Sequence, residues 1–150
     1  MTKNVPANVK NDTQAVAVAD QQRDRMNSLI SYFEGRRADF GALMPEDKVD
    51  SFMRIFKNAV IKDPDVATAS TSSIFLECQK CAMDGLVLDG REAALIRFNT
   101  NKKTKGPDGK WKDNWQTEVV YIPMIRGIRK LVAKSPRVAS WNVDVVYSVE

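Results

Sequence analysis

"VVYIPMIRGIRKLVAKSPRV", residues 119–138, changes character twice in twenty positions. It opens as a β-branched run, passes Pro123, and becomes a segment with Arg126, Arg129, Lys130, Lys134 and Arg137 and no acidic residue. Proline is well placed as the first residue of a helix, where its missing N–H has no partner to lose. The reading is therefore a strand that gives way at Pro123 to a helix. At 100° per residue Met124, Ile125, Ile128, Leu131 and Val132 fall on one side of that helix, and Arg126, Arg129, Lys130 and Lys134 on the other. Gly127 costs about 1 kcal/mol relative to alanine inside a helix. Its expected use is close backbone approach to a neighbour or a ligand.

Working back from Pro123, "QTEVVYIP" and "REAALIRF" both have strand composition, and "NKKTKGPDGKWKDNW" separates them. Gly106-Pro107-Asp108-Gly109 is a turn signal with a mechanism, since proline presets φ and glycine accepts a positive φ. The whole reads as a long β-hairpin whose tip carries Lys102, Lys103, Lys105, Lys110 and Lys112. The alternative is a structureless surface loop, but loops of about fifteen residues without internal structure are uncommon. Working forward, "WNVDVVYSV" alternates Trp141, Val143, Val145, Tyr147 and Val149 with Asn142, Asp144, Val146 and Ser148, the pattern of a half-buried strand.

The first half is helical in pattern. Residues 1–20 are polar and small, and are expected to form a flexible or loosely helical arm. Met26, Leu29, Ile30 and Phe33 recur at helical spacing, which predicts a helix from Asp20 to about Glu34, ended by Gly35. After Pro45, Val49, Phe52, Met53, Phe56, Ala59 and Val60 make one apolar stripe, and Asp63-Pro64 stops it. "ATASTSS" offers N-caps for a further helix over Ile74–Asp84, with Gly85 placed as its C′ residue. The fold class is α+β: N-terminal helices, then a long β-hairpin, an amphipathic basic helix and a further strand, forming a small antiparallel sheet packed on helices. Residues 21–150 are expected to be one core unit that continues beyond this chain's C-terminal end.

The 150 residues can bury a real core. No apolar run approaches the roughly 18 residues needed to cross a bilayer, and no signal-peptide core opens the chain, so an intracellular, membrane-free protein is expected. The net charge of +4 is unevenly spread. From Arg97 to Arg137 eleven Lys and Arg stand against Asp108, Asp113 and Glu118, a net +8, while the remainder is net −4. A solvated helix face is the bland explanation for one such element. Eleven basic residues across two adjacent elements point instead to a polyanion.

Much chemistry is excluded. The chain has no histidine, which removes the usual general base and every imidazole triad. It has neither a G-x-x-x-x-G-K-[ST] loop nor a G-x-G-x-x-G turn, so no ATP site is expected. Cys78 and Cys81 form a lone C-x-x-C that suggests redox chemistry or half a zinc site. No second Cys/His pair completes a site, and i, i+3 spacing beside Ile74, Phe75 and Ala82 suits two small buried residues better. Asp84, Asp89 and Glu92 match no metal spacing and read as loop and turn acids. No catalytic residue, metal or cofactor is expected, and the chain does not read as an enzyme.

Binding remains. Arg97, the hairpin lysines, and Arg126, Arg129, Lys130, Lys134 and Arg137 offer phosphate contacts. Trp111 and Trp115, set among lysines, are either base-stacking faces or core residues, and Tyr121, inside a strand, reads as core. This combination suits single-stranded nucleic acid held by its backbone, and recognition-helix and zinc-finger signatures are absent.

"CAMDGLVLDGREAALIRF" followed by "EVVYIPMIRGIRKLVAKSPRVASWNVDVVY" resembles the core of the RecT family of phage-type single-strand annealing proteins, over about residues 50–150. That family has a helix ending in Gly-Leu, a strand of the form E-A-x-L-I-x-F, a variable hairpin, a Tyr-(Arg/Lys)-Gly helix and a strand ending in Val-Tyr. Ile125-Arg126-Gly127 keeps the basic residue and the glycine of the Tyr-(Arg/Lys)-Gly motif and lacks its aromatic, so the resemblance supports a phosphate role for Arg126 but not a stacking role at 125. The resemblance implies ATP-independent binding of single-stranded DNA, annealing through a duplex intermediate, and self-assembly into rings or helical filaments. It also implies a 5′→3′ exonuclease partner, a phage or prophage origin, and a place in recombination and repair in the bacterial cytoplasm. A generic single-strand-coating protein, or a phage structural or assembly protein with a basic docking face, are the competing readings.

Overall fold

The computed structural model describes residues 7–107 and 109–141. Helix α1 spans Ala7–Gly35, α2 Arg37–Gly41, α3 Glu46–Lys62, and after a 3-10 turn at Pro64–Thr68, α4 spans Thr71–Met83. Strands β1 (Ala93–Asn101), β2 (Thr104–Lys105), β3 (Trp111–Lys112) and β4 (Trp115–Pro123) precede α5 (Ile125–Lys134). This is the α+β order expected. The strand expected over residues 141–149 lies outside the described residues apart from Trp141.

Helix α1 ends where Gly35 predicts, but it begins at Ala7 rather than Asp20. Pro6 precedes that first residue, and neither glycine nor proline interrupts the chain from there to Glu34, so nothing local stops the helix sooner. Helix α3 buries Val49, Phe52, Phe56 and Val60, the stripe its spacing predicts. Helix α4 starts at Thr71, three residues before Ile74, because the Ser70 hydroxyl caps it by accepting from the Ser73 N–H at 3.1 Å. It closes in a Schellman motif: Gly85, at φ +66°, donates to the Ala82 carbonyl and Leu86 to that of Cys81.

The helical core is aromatic. Phe33 of α1 stacks on Phe56 of α3 with ring centroids 4.0 Å apart, and meets Phe75 of α4 edge-on at 5.5 Å. Phe40 of α2 closes the cluster against Phe52 and Phe75. Cys78 and Cys81 are free thiols buried in this core, as packing residues would be. Burial pushes both thiols up, Cys81 to about 12, so neither offers a thiolate near neutrality.

The hairpin is confirmed, and its register never slips. Ala93 pairs with Pro123, Asn101 with Trp115, Thr104 with Lys112 and Lys105 with Trp111. Between the two ladders the Lys102 N–H donates to the Asn114 carbonyl, and beyond them Gly106 donates to Lys110. Gly109, at φ +74°, donates back to Gly106 to close the turn. Thirteen residues separate base from tip, roughly 40 Å at 3.3 Å per residue.

Pro123 is the last residue of β4, not the first of α5, and Met124 is the N-cap. Odd-numbered residues of β4 point their backbone groups away from β1, toward α4. At an odd position the N–H that proline lacks belongs to no ladder bond, so the strand tolerates it.

Candidate nucleic-acid interface

Alternation in one unbroken register sorts the hairpin side chains onto two faces. On the odd-numbered face, Ala93, Leu95, Val119 and Tyr121 pack on the helical core at the base. Tyr121 is fixed there by its hydroxyl, which donates to Asp84 Oδ2 at 2.9 Å. Toward the tip the hairpin outruns the helices, and the same face presents Trp115 and Trp111, each 67% exposed. They are not core residues. Lys105 lies directly opposite Trp111 in a non-hydrogen-bonded pair, the kind that brings side chains closest, and Lys103 is exposed one rung nearer the base. The two indoles are four residues apart along the chain, roughly 13 Å.

Lys102, Lys110 and Lys112 take even-numbered positions, and all three are exposed. Lys102 is ion-paired with Glu118, and that bond holds the Glu118 carboxyl below its ordinary range. Arg97 is drawn to the 3-10 turn, 3.4 Å from Asp65 and within 3.5 Å of the Thr68 hydroxyl.

Helix α5 docks at the opposite end. Its N-cap Met124 donates to the Glu92 carbonyl at 2.9 Å, and Gly127 lies against that same carbonyl. A Cβ on Gly127 would sit 2.0 Å from the oxygen and 2.9 Å from Leu86 Cδ1. Glycine here serves close approach to a neighbouring element, one of the two uses its position suggests. The packed line therefore runs through Gly127 and Leu131, roughly a quarter turn from the centre of the apolar side. This corrects the simple two-faced reading: Ile125 is 55% exposed and Ile128 40%. Arg126 and Arg129 are exposed without an ion pair among the described residues, and so is Arg137 just beyond the helix. Lys130 is committed inward to Glu92 at 2.6 Å, and the Lys134 ammonium lies beside Gly85 at the C-terminal end of α4, where the helix dipole favours a cation.

The thirteen candidate residues thus do not form one patch. Arg97, Lys102, Lys130 and Lys134 are engaged by the protein itself. Lys103, Lys105, Lys110, Lys112 and the two indoles cluster at the tip, and Arg126, Arg129 and Arg137 lie near the base, roughly 40 Å away along the hairpin. Asp84, Asp89 and Glu92 each have partners within the protein: Asp89 accepts from the Arg91 and Glu92 amides, Glu92 from Lys130 and the Val87 amide, and Asp84 from Tyr121. One surface escaped the sequence reading. Ile96, Phe98, Val120 and Ile122 form an exposed apolar band on the even face. The signal was present in "LIRF" and "VVYI", where apolar residues occupy both parities rather than alternate.

The molecule is of the α+β class, with cations and aromatics on a hairpin that overhangs its core and arginines on a helix at its base. A family model described as the RecT family matches residues 50–150, and the chain belongs to that family, one of recombination and strand-annealing proteins. The same comparisons find no match among curated proteins or solved structures. Among the described residues no helix is long and apolar enough to cross a membrane.

Proposed function

We propose that this chain binds single-stranded DNA without ATP and promotes annealing of complementary strands during phage-type recombination. The observation that carries this reading is the exposed pair Arg126 and Arg129 on α5, cations with no carboxylate partner among the described residues, in a chain of the RecT family. Annealing breaks and forms no covalent bond. It requires that phosphate repulsion be neutralised while bases stay accessible, and the exposed arginines at the base with the lysines at the tip supply the first condition. The exposed indoles supply faces on which bases can stack. With the two cationic clusters at opposite ends of the hairpin, one bound strand runs along it or passes between neighbouring copies in a ring or filament. A 5′→3′ exonuclease that generates the single strand is the partner this chemistry calls for.

The test is a strand-annealing assay on the purified chain and on Arg126→Ala/Arg129→Ala. The chain is expected to accelerate pairing of complementary oligonucleotides, and the double variant to lose most of that acceleration. Slowed pairing identifies a coating protein instead. If about six phosphates are contacted per subunit, the slope of log K against log salt for single strands is near −4. A flat salt response sinks the proposal.

A further inference from the structure

Between its two cationic ends the hairpin is electrically bare. Strands β1 and β4 each run nine residues, roughly 30 Å, and together they hold one cation and one anion, Arg97 and Glu118. Both are engaged within the protein: Arg97 lies 3.4 Å from Asp65, and Glu118 is ion-paired with Lys102. The odd face of this shaft is covered by the helical core through Leu95, Val119 and Tyr121. The even face is open, but what it exposes is Ile96, Phe98, Val120 and Ile122. Beside β1, Asp63 and Asp89 stand with Lys62 in the wall of the adjoining groove.

The ends of the shaft differ from its middle. At the tip Lys103 and Lys105 are exposed beside the two indoles, with no ion pair among the described residues. At the base Arg126 and Arg129 are exposed in the same way. Salt screens charges over about 8 Å at physiological ionic strength. A phosphate over the middle of the shaft is therefore out of reach of either cluster. A strand that touches both ends is gripped twice and not between.

We infer, resting on the single-strand reading above, that the hairpin holds one DNA strand at two anchors and leaves the span across its even face ungripped. The tip anchor is Trp111, Trp115, Lys103 and Lys105, and the base anchor is Arg126 and Arg129. The ligand this selects is a single strand long enough to bridge the shaft. Bases stacked on the indoles are not free to pair, so pairing with a complement begins in the middle span. The anchors lie about 40 Å apart, which a stacked strand at 3.4 Å per nucleotide crosses in about twelve steps and a drawn-out strand in fewer. A shorter strand reaches one anchor only. Once the strand bridges, its second contact is intramolecular, and affinity is expected to rise about a hundredfold over a narrow range of length.

Oligo-dT of increasing length tests this, titrated into the full chain, Lys103→Ala/Lys105→Ala and Arg126→Ala/Arg129→Ala. The unaltered chain should show the step within about fifteen nucleotides, the bridge plus the few that each anchor holds, at one oligonucleotide per chain. Each double variant should still bind through its intact anchor, and without a step. In an oligonucleotide just long enough to bridge, neutral methylphosphonate linkages confined to the middle third should change affinity by less than about twofold. Affinity that climbs smoothly with length overturns the two-anchor arrangement. A step that survives in either variant, or a bridged complex with two chains on one oligonucleotide, overturns it too. So does a loss of about tenfold from the neutral middle, which places a cation beneath it. Absence of dT binding at every length is a separate result, which removes the single-strand reading itself and this inference with it.

Discussion

The α-carbon of Gly127 faces the carbonyl of Glu92 so closely that the smallest side chain would intrude to 2.0 Å. The obstacle is backbone, which cannot swing aside as a long side chain can. Gly127→Ala is therefore expected to cost about 2–3 kcal/mol through overpacking, despite alanine's better helix propensity. Urea denaturation measures it. A variant as stable as the parent means that α5 does not dock on the entry to β1.

Glu77 closes the edge of β4 by accepting the Tyr121 amide while its other oxygen holds Lys80. Glu77→Ala leaves that part-buried N–H without an acceptor and is expected to cost about 1–3 kcal/mol. Glu77→Gln keeps an acceptor and recovers part of the loss. Equal stability of the two variants would show that the amide bond contributes nothing.

Burial in the fold pushes the Cys81 thiol up to about 12 from its ordinary 9.0. Burial is the chief cause, with Asp84 adding to it. The folded chain thus holds this proton more tightly than the unfolded chain, so the associated stability is intact below pH 9 and lost as pH rises toward 12. Cys78 and Tyr121 shift in the same direction. Denaturation midpoints are expected to fall between pH 9 and 11, less steeply in Cys81→Ala. At pH 8 a thiol reagent should label neither cysteine until the chain is unfolded; prompt labelling of the native protein contradicts the buried pair.

Trp111 and Trp115 stand on one face with Lys105. If bases stack there, replacing either indole by alanine weakens single-strand binding by about 1–3 kcal/mol and leaves the salt slope unchanged. Arg126→Ala/Arg129→Ala should also weaken binding, but flatten the slope by about 1.4. Oligo-dT titration followed by tryptophan fluorescence separates the two effects. Unquenched emission at saturation removes the indoles from the interface.

Legibility in the sequence followed the range of the interaction. The stripe of α3, the turn at Gly106–Gly109 and the Schellman glycine at 85 are set by neighbours a few residues apart, and each stands where its pattern predicts. Pro123 reads from the sequence as a helix start and is instead the end of β4, because a helix start and an outward-facing strand position both forgive a missing N–H. Only the parity fixed by the β1 partner decides between them. The rotation of α5 was hidden because an apolar face marks what prefers burial, not which line the neighbour can approach, and Gly127 chose that line. The candidate site was least legible of all. Lysines and arginines clustered in sequence separate in space once the chain runs out along one strand and back along the other, and Arg97, Lys102 and Lys130 find carboxylates that no local pattern announces.

The unbroken register imposes a rule on how this hairpin can vary. One residue inserted into either strand between base and tip reverses the parity of everything beyond it on that strand, so an indole exchanges sides with a lysine and a ladder amide is turned out to solvent. Additions made in matched pairs across the turn lengthen the arm and disturb nothing below it. Length is thus free to drift at the tip alone, while the rungs beneath behave as a reading frame.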